Sequence, residues 1–438
     1  MATPADVQRQ FFDLLLQSQG WPAERLRDYQ RAQLTPLLVH ARAHVPFYAR
    51  RLDPLFRRDG SIDWTRWPEL PILKRADVAG NAGLLAPVTP AHYGRSGWIN
   101  TSGTTGRPAT IHFNELGALA SIATKWRSDV WHGVDWSRTL YVRQGTDVDE
   151  AAWPAGAPGG LWGPSWDVRA QQGRSFRLNR HAKPAEQLEF MTRIGAAYAA
   201  PGAPNNAHVI AAEAVRLGRP HPMHAVFAAG EAVTAADREI CRQAFGAEII
   251  EVYSSKEGHH MAHRCPSAPV LHANAETVLL EVLDDDDRPC APGQLGRVVI
   301  TPFFSATQPL IRYDHGDLAV LGEACACGRS LPTIARIVGR ESHMFVHPDG
   351  RKITRYLPDE YRAVLNCSAW QFAQVGPNDY EVRYVASGPH EMTDEAAVAQ
   401  VFRDHFFDDA IVHFRQLEAI PLLSSGKFIE YINEFARQ

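Results

Sequence analysis

Between residues 185 and 253 the chain alternates two helical patterns with short apolar runs, and few folds accept that alternation. A five-residue run, Ala225-Val-Phe-Ala-Ala229, leads into Gly230-Glu231. A helical pattern follows at 234–245, then a second run, Ile249-Ile-Glu-Val-Tyr253. Strands separated by helices predict α/β layers. Upstream, residues 4–17 and 22–44 read as helices, with Leu26, Tyr29, Leu34, Leu37 and Leu38 at helical spacing. Residues 115–133 read as another. After 276 the pattern changes to strands at 277–283, 296–303 and 317–321. The last ninety or so residues read as strands at 370–375, 380–386 and 412–419 around a helix at 393–406, then a loop and a short helix. That is a small α+β domain. A polar, glycine-bearing passage at 339–350 reads as a hinge, which gives domains at 1–340 and 341–438.

Length agrees, because 438 residues exceed what one core accommodates. A formal net charge of −4 without a long basic run argues against nucleic acid. No apolar stretch approaches the roughly 20 residues that span a bilayer. The first residues lack the pattern of a signal peptide, so the expected compartment is the cytoplasm.

One stretch is too small and hydroxylated for a core: Thr101, Ser102, Gly103, Thr104, Thr105 and Gly106. Such a run is a plain hydrophilic loop, or it presents backbone N–H groups and hydroxyls to an anion. Trp98-Ile99 before it and Thr110-Ile111 after it make a strand–loop–strand. No Gly-Lys-Ser/Thr follows, so it is not a Walker loop.

Five segments in order carry a resemblance: Thr101–Pro108, Ala229-Gly-Glu231, Tyr253-Ser-Ser-Lys-Glu257, Arg312-Tyr-Asp-His-Gly-Asp317 with Gly339-Arg340, and Ser425-Gly-Lys427. Together they resemble the adenylate-forming superfamily of acyl-CoA synthetases, adenylation domains and luciferases. Pro309-Leu-Ile-Arg-Tyr313, Cys325-Ala-Cys-Gly-Arg329 and Arg336-Ile-Val-Gly-Arg340 are similar to the short phenylacetate–CoA ligase branch. The resemblance implies a large α/β domain with a strand-rich, barrel-like portion, capped by a small mobile α+β domain. It also implies ATP-dependent activation of a carboxylic acid to an acyl-adenylate, then transfer to CoA. An amine or carrier-protein thiol is the alternative acceptor, and a catalytically silent nucleotide-binding homologue is a third reading. Dimers are common in that branch, and no interface is legible here.

The same resemblance implies roles for matching residues. Loop 101–106 would hold the β- and γ-phosphates, and Glu257 would ligate Mg²⁺ through hard carboxylate oxygen. Tyr253 would stack on adenine with Ser254 beside it, and Gly230-Glu231 would line the adenine side. Asp317 would accept from the ribose hydroxyls, and Arg340 would sit near ribose or phosphate. Lys427 would neutralise charge in the adenylation transition state. Two positions depart from the family. Lys256 stands where Ser or Thr is usual, and either supplies positive charge to phosphate or pairs with a nearby acid. Glu341-Ser-His343 replaces the usual acidic pair of the hinge, which makes adenylation the safer expectation and CoA transfer the less safe one.

Cys265, Cys325 and Cys327 with one histidine form a zinc-like donor set, since soft thiolates favour that ion. Candidates for the fourth ligand are His259, His260, His263 and His272; the resemblance favours His272, because some phenylacetate-ligase-like chains show a similar Cys…Leu-His spacing. Three reduced cysteines without metal are the alternative. Such a zinc would be structural, beside the adenylate site. Trp126, Trp131, Trp162 and Trp166 offer flat walls for an aromatic acid, or pack a core or lid. Lys256 or a histidine such as His259 would read a polar ring substituent.

Overall fold

The computed structural model describes residues 3–100, 109–144, 151–340, 344–351, 367–386, 394–420 and 431–435. They divide into two compact units. The larger draws on Met1–Ile99, Thr110–His315 and Ala319–Ile337, the smaller on Asn100–Ala109, Gly316–Leu318 and Val338–Gln438.

The larger unit opens with helices α1 (Pro4–Ser18) and α2 (Ala23–His44), followed by the short α3 (Arg75–Val78). Thr3 and Asp6 cap α1 reciprocally, each side chain accepting from the other's backbone N–H. Strands β1 (Ser96–Asn100) and β2 (Thr110–Asn114) form a separate two-stranded ribbon, and α4 (Glu115–Trp131) continues directly from β2. The two strands of the strand–loop–strand expectation are present, and the loop between them, residues 101–108, lies outside the described set.

The alternating region then builds the main sheet. Its strands are β3 (Thr139–Gln144), β4 (Ala157–Gly160), β5 (Arg174–Asn179), β6 (Tyr198–Gly202), β7 (Ala225–Ala229) and β8 (Glu248–Ser255). Helices α5 (Pro184–Ile194), α6 (Pro204–Arg216) and α7 (Ala235–Phe245) supply the crossovers, and β8, β7, β6, β3 and β5 lie parallel in that order. Tyr141, Leu178, Leu188, Ile210, Val226 and Ile249 are part of the core between sheet and helices.

Beyond β8 the sheet continues through β9 (His259–Arg264), β10 (Leu271–Ala273), β11 (Val278–Leu283), β12 (Leu295–Pro302), β13 (Tyr313–Leu321) and β14 (Thr333–Arg340), with β8–β9, β9–β10, β10–β14 and β11–β12 paired antiparallel. Among the described residues the strand order is β11-β12-β13-β14-β10-β9-β8-β7-β6-β3-β5-β4. A parallel run thus meets antiparallel pairs at β8, and β4 closes the far edge antiparallel to β5.

The smaller unit holds β15 (Cys367–Gln374), β16 (Asp379–Ala386), α8 (Glu395–His405), β17 (Ile411–Gln416) and β18 (Tyr431–Asn433). Its sheet order is β17-β16-β15-β18 around a core that includes Phe345, Phe372, Tyr380, Phe402 and Phe406. At the end of the chain the described residues form a strand instead of the expected short helix: Tyr431–Asn433 pairs in parallel with Phe372–Gln374.

A charged pair, Arg127 with Glu276, is fully enclosed in the larger unit. Arg127 on α4 donates to Glu276 Oε1 at 2.6 Å and to Asn274 Oδ1 at 2.8 Å, and Ser18 at the end of α1 donates to the same Glu276 oxygen at 2.6 Å. Removing one member of a buried pair strands the other charge, at about 3–5 kcal/mol. Arg127→Leu is expected to lose that much stability, read as a fall in the urea midpoint of the larger unit.

Candidate active site

Ligands of open α/β sheets gather at the carboxyl ends of parallel strands. β7 and β8 run side by side in the register Ala229↔Val252. The residues that follow each strand are therefore neighbours: Gly230-Glu231 after β7, and Tyr253-Ser254 at the end of β8. Gly230 turns the chain out of β7 at φ +89°, a conformation that glycine adopts without a Cβ penalty.

Tyr253 is buried, and its hydroxyl lies 3.2 Å from His315 Nδ1 with the rings edge to face. Lys256 and Glu257 occupy the turn between β8 and β9. Lys256 is exposed, whereas Glu257 is buried, its Oε1 3.6 Å from Arg75 and its Oε2 3.9 Å from His315 Nε2. The structure thus gathers Tyr253, Glu257, His315 and Arg75. The last two were not singled out from sequence. His315 sits inside the Arg-Tyr-Asp-His-Gly-Asp motif, so its signal was present; Arg75, on a four-residue helix, gave none. Glu257 offers oxygen donors suited to a hard cation that keeps phosphate and water as further ligands.

Asp317 and Arg340 belong to the smaller unit and form an ion pair, Nε to Oδ1 at 2.9 Å. Arg312, first residue of the same motif, has a structural task. Its side chain is buried at φ +50° and donates to the carbonyls of Pro68 and Leu70, tying the segment before α3 to β13. The Gly-rich loop, Lys427 and the Glu341-Ser-His343 hinge lie outside the described residues. The base of the loop's ribbon is fixed, however. Thr307 Oγ1 meets Thr89, Ser96 and Asn114 side chains at 2.9 Å each, and His112 N–H donates to Gln308.

Cys265, His272, Cys325 and Cys327 come together, with all four ligand atoms within 4.8 Å of one another. β10 pairs with both β9 and β14, which carries His272 beside Cys265 and against the β13–β14 turn that holds the other two cysteines. The sulfurs of Cys265 and Cys325 are 3.8 Å apart, and Cys327 Sγ is 3.3 Å from His272 Nε2. Tetrahedral zinc with bonds of about 2.3 Å separates its sulfurs by about 3.8 Å, so the donor set fits that ion. Its location differs from expectation. β9 spans six residues, about 20 Å, between the Glu257 turn and Cys265, so the cluster stands a strand's length from Glu257. The other histidines are core groups. His260 Nδ1 meets Ser121 O at 3.1 Å, and burial lowers its pKa to about 4; His263 pairs with Asn274 and is held well below the usual range by burial.

Among the described residues the tryptophans make core contacts. Trp126, Trp162 and Trp166 pack with Phe12, Trp136 and Tyr198, and Trp131 stands edge-on to His272 with its centroid 5.7 Å away.

No family model matches the chain. It is 27% identical over 365 residues to the phenylacetate-coenzyme A ligase of Thermus thermophilus, covering 78% of this chain and 76% of that enzyme. Its fold is similar to 2-hydroxyisobutyryl-CoA ligase in the postadenylation state with R3-HIB-AMP, at TM-score 0.74 and 18% identity over 95% of this chain and 91% of that one. The same ligase with 2-HIB-AMP and CoA in its thioesterification state superposes at TM-score 0.60 and 20% identity, with 95% and 91% coverage. Among the described residues no helix is long and apolar enough to cross a membrane. In sequence the chain is thus similar to a phenylacetate–coenzyme A ligase, and in fold to an adenylate-forming CoA ligase.

Proposed function

We propose that this chain is an AMP-forming acid–thiol ligase. A carboxylate oxygen attacks the α-phosphorus of ATP, the bond to the β-phosphate oxygen breaks, and pyrophosphate leaves. The sulfur of CoA then attacks the acyl carbon, and AMP departs. The observation that carries the reading is the gathering of Tyr253 and Glu257 at the carboxyl end of β8, beside Gly230 and Glu231 after β7. The likeness to the phenylacetate enzyme supports an aryl acid as the substrate class.

Within this reading Tyr253 and Ser254 face adenine, and Thr101 to Gly106 hold the outer phosphates. Glu257 holds the Mg²⁺ that arrives with ATP, with Lys256 as an added charge near phosphate. Lys427 offsets the negative charge that builds as carboxylate meets phosphate. Zinc held by Cys265, His272, Cys325 and Cys327 is structural, because four protein ligands leave no open position.

Asp317 accepts from the ribose hydroxyls, and Arg340 orients it. Hydrogen bonds to a charged group contribute about 1.5–3 kcal/mol each. Asp317→Ala is expected to raise the KM for ATP roughly 10–100-fold, measured by steady-state kinetics.

Acid-dependent ATP–pyrophosphate exchange, followed by thioester detection with CoA, tests the whole. Exchange with thioester supports the ligase. Exchange without thioester moves the acceptor to an amine or carrier thiol, the reading that the Glu341-Ser-His343 hinge favours. Absence of exchange across a broad panel of acids overturns activation.

A further inference from the structure

Residues 344–346 lie in the smaller unit, outside its named strands and within the passage 339–350 that reads from sequence as a hinge. Buried backbone groups that stand off a ladder still need partners. Two side-chain amides supply them. Gln374, the last residue of β15, is fully buried. Its Oε1 accepts from Val346 N–H at 2.9 Å, and its Nε2 donates to Val346 O at 2.7 Å and to Pro377 O at 3.1 Å. Asn433, the last residue of β18, is also buried. Its Nδ2 donates to Met344 O and to the same Gln374 Oε1, both at 2.9 Å. Gln374 thereby uses both of its donors and both of its acceptor sites. Toward Val346 it acts as the edge of a neighbouring strand would.

The same two segments also meet through rings and backbone. Phe345 and Tyr431 stand edge to face at 6.1 Å in the core. β18 pairs in parallel with the end of β15, Gln374 opposite Asn433, and Glu434 N–H donates to Gln374 O at 2.9 Å. Loss of either amide would leave buried backbone groups of the 344–346 segment without these partners. Lys427 precedes Tyr431 by four residues, at most about 14 Å of extended chain. Whatever fixes β18 therefore bounds where the lysine can stand.

We propose that Gln374 and Asn433 are positioning residues for Lys427: they lock β18 to the 344–346 segment, so that the chain carrying the lysine starts from a fixed anchor tied to the hinge passage. This rests on the role proposed for Lys427 in adenylation. A group that stabilises a transition state tolerates little displacement, and a shift of about 1 Å costs about 10²-fold in rate. Tyr253, Glu257 and Asp317, which carry ATP binding in that reading, are not part of the network. Loss of the anchor thus lowers kcat and spares the KM for ATP.

The full chain with Mg²⁺, ATP and an acid that supports pyrophosphate exchange tests it. Gln374→Met and Asn433→Asp keep the side chain's size and remove its donors. Each is expected to lower kcat for exchange about 10–10²-fold and to leave the KM for ATP within about threefold. In a Lys427→Ala background, read with radiolabelled pyrophosphate, the same substitutions should cost less than about twofold, since the group they position is gone. Val398→Ala, a core change on α8 outside the network, should lower the melting temperature without that split. Hydrogen exchange on the native chain reads the anchor without any activity: protection at Val346 and at Tyr431–Asn433 should fall together along a urea series. Unchanged kcat in both variants, a loss that persists in the Lys427→Ala background, the same split in Val398→Ala, or a Val346 amide that opens ahead of β18 overturns the proposal while leaving adenylation standing. No exchange by the native chain with any acid overturns the adenylation reading, and the lysine's role with it.

Discussion

Glu257→Gln is expected to slow acyl-adenylate formation about 10²–10³-fold, with little change in thermal stability. The substitution keeps the shape of a buried side chain and removes its charge, so packing around it persists. What goes is a hard anionic oxygen for Mg²⁺ at the place where charge develops on the transferring group. Loss of one preorganised electrostatic contact of this kind costs about 2.7–4 kcal/mol in the transition state. Raising Mg²⁺ should recover part of the rate, because the weakened site is then filled by mass action. A purely structural role, clamped between Arg75 and His315, would show the opposite pattern: a lower melting temperature, and a rate that ignores Mg²⁺. Pyrophosphate exchange across a Mg²⁺ titration, with a melting curve for each protein, separates the two.

Cys327→Ser is the second large effect. The native chain should carry about one zinc, measured by elemental analysis after dialysis, and the variant less than about a tenth of that. Serine cannot replace a thiolate, and metal affinity is folding free energy where the site forms only on folding. A drop of roughly 5–10 °C in melting temperature is expected, with a similar drop for the native chain in a strong chelator. At temperatures where the variant remains folded, the KM for ATP should change less than threefold or so, because the cluster stands a strand's length from Glu257. Native protein that holds no zinc, and that ignores the chelator, would return the cysteines to simple thiols.

Much of this architecture was legible because the local rules agree with one another. Helices α1, α2, α4 and α7 and strands β7, β8, β11 and β12 fall within a few residues of where apolar spacing puts them. β6 was missed for a physical reason. Its sequence, Tyr-Ala-Ala-Pro-Gly, has little β-branched or aromatic content, and only its place between two parallel neighbours makes it a strand. β9, rich in histidine, hid in the same way. The metal set was readable from residue chemistry, since three thiols and a histidine have few other uses together. Its distance from Glu257 was not, because the sequence does not tell how a strand will be aimed. The tryptophans left two readings open for a related cause: large flat side chains serve a core as well as a pocket, and Trp126 and Trp166 pack on one another.

The enclosed arginine also sets a timetable. Arg127 waits 149 residues of synthesis for Glu276, and Ser18 waits 258 for the same carboxylate. At about 5–20 residues per second on the ribosome, the arginine spends roughly 7–30 s without its counter-ion. The first helices cannot settle during that interval, for their final neighbours have not yet been made. A nascent chain halted before residue 276 should be digested readily by protease, and one released past β14 should resist.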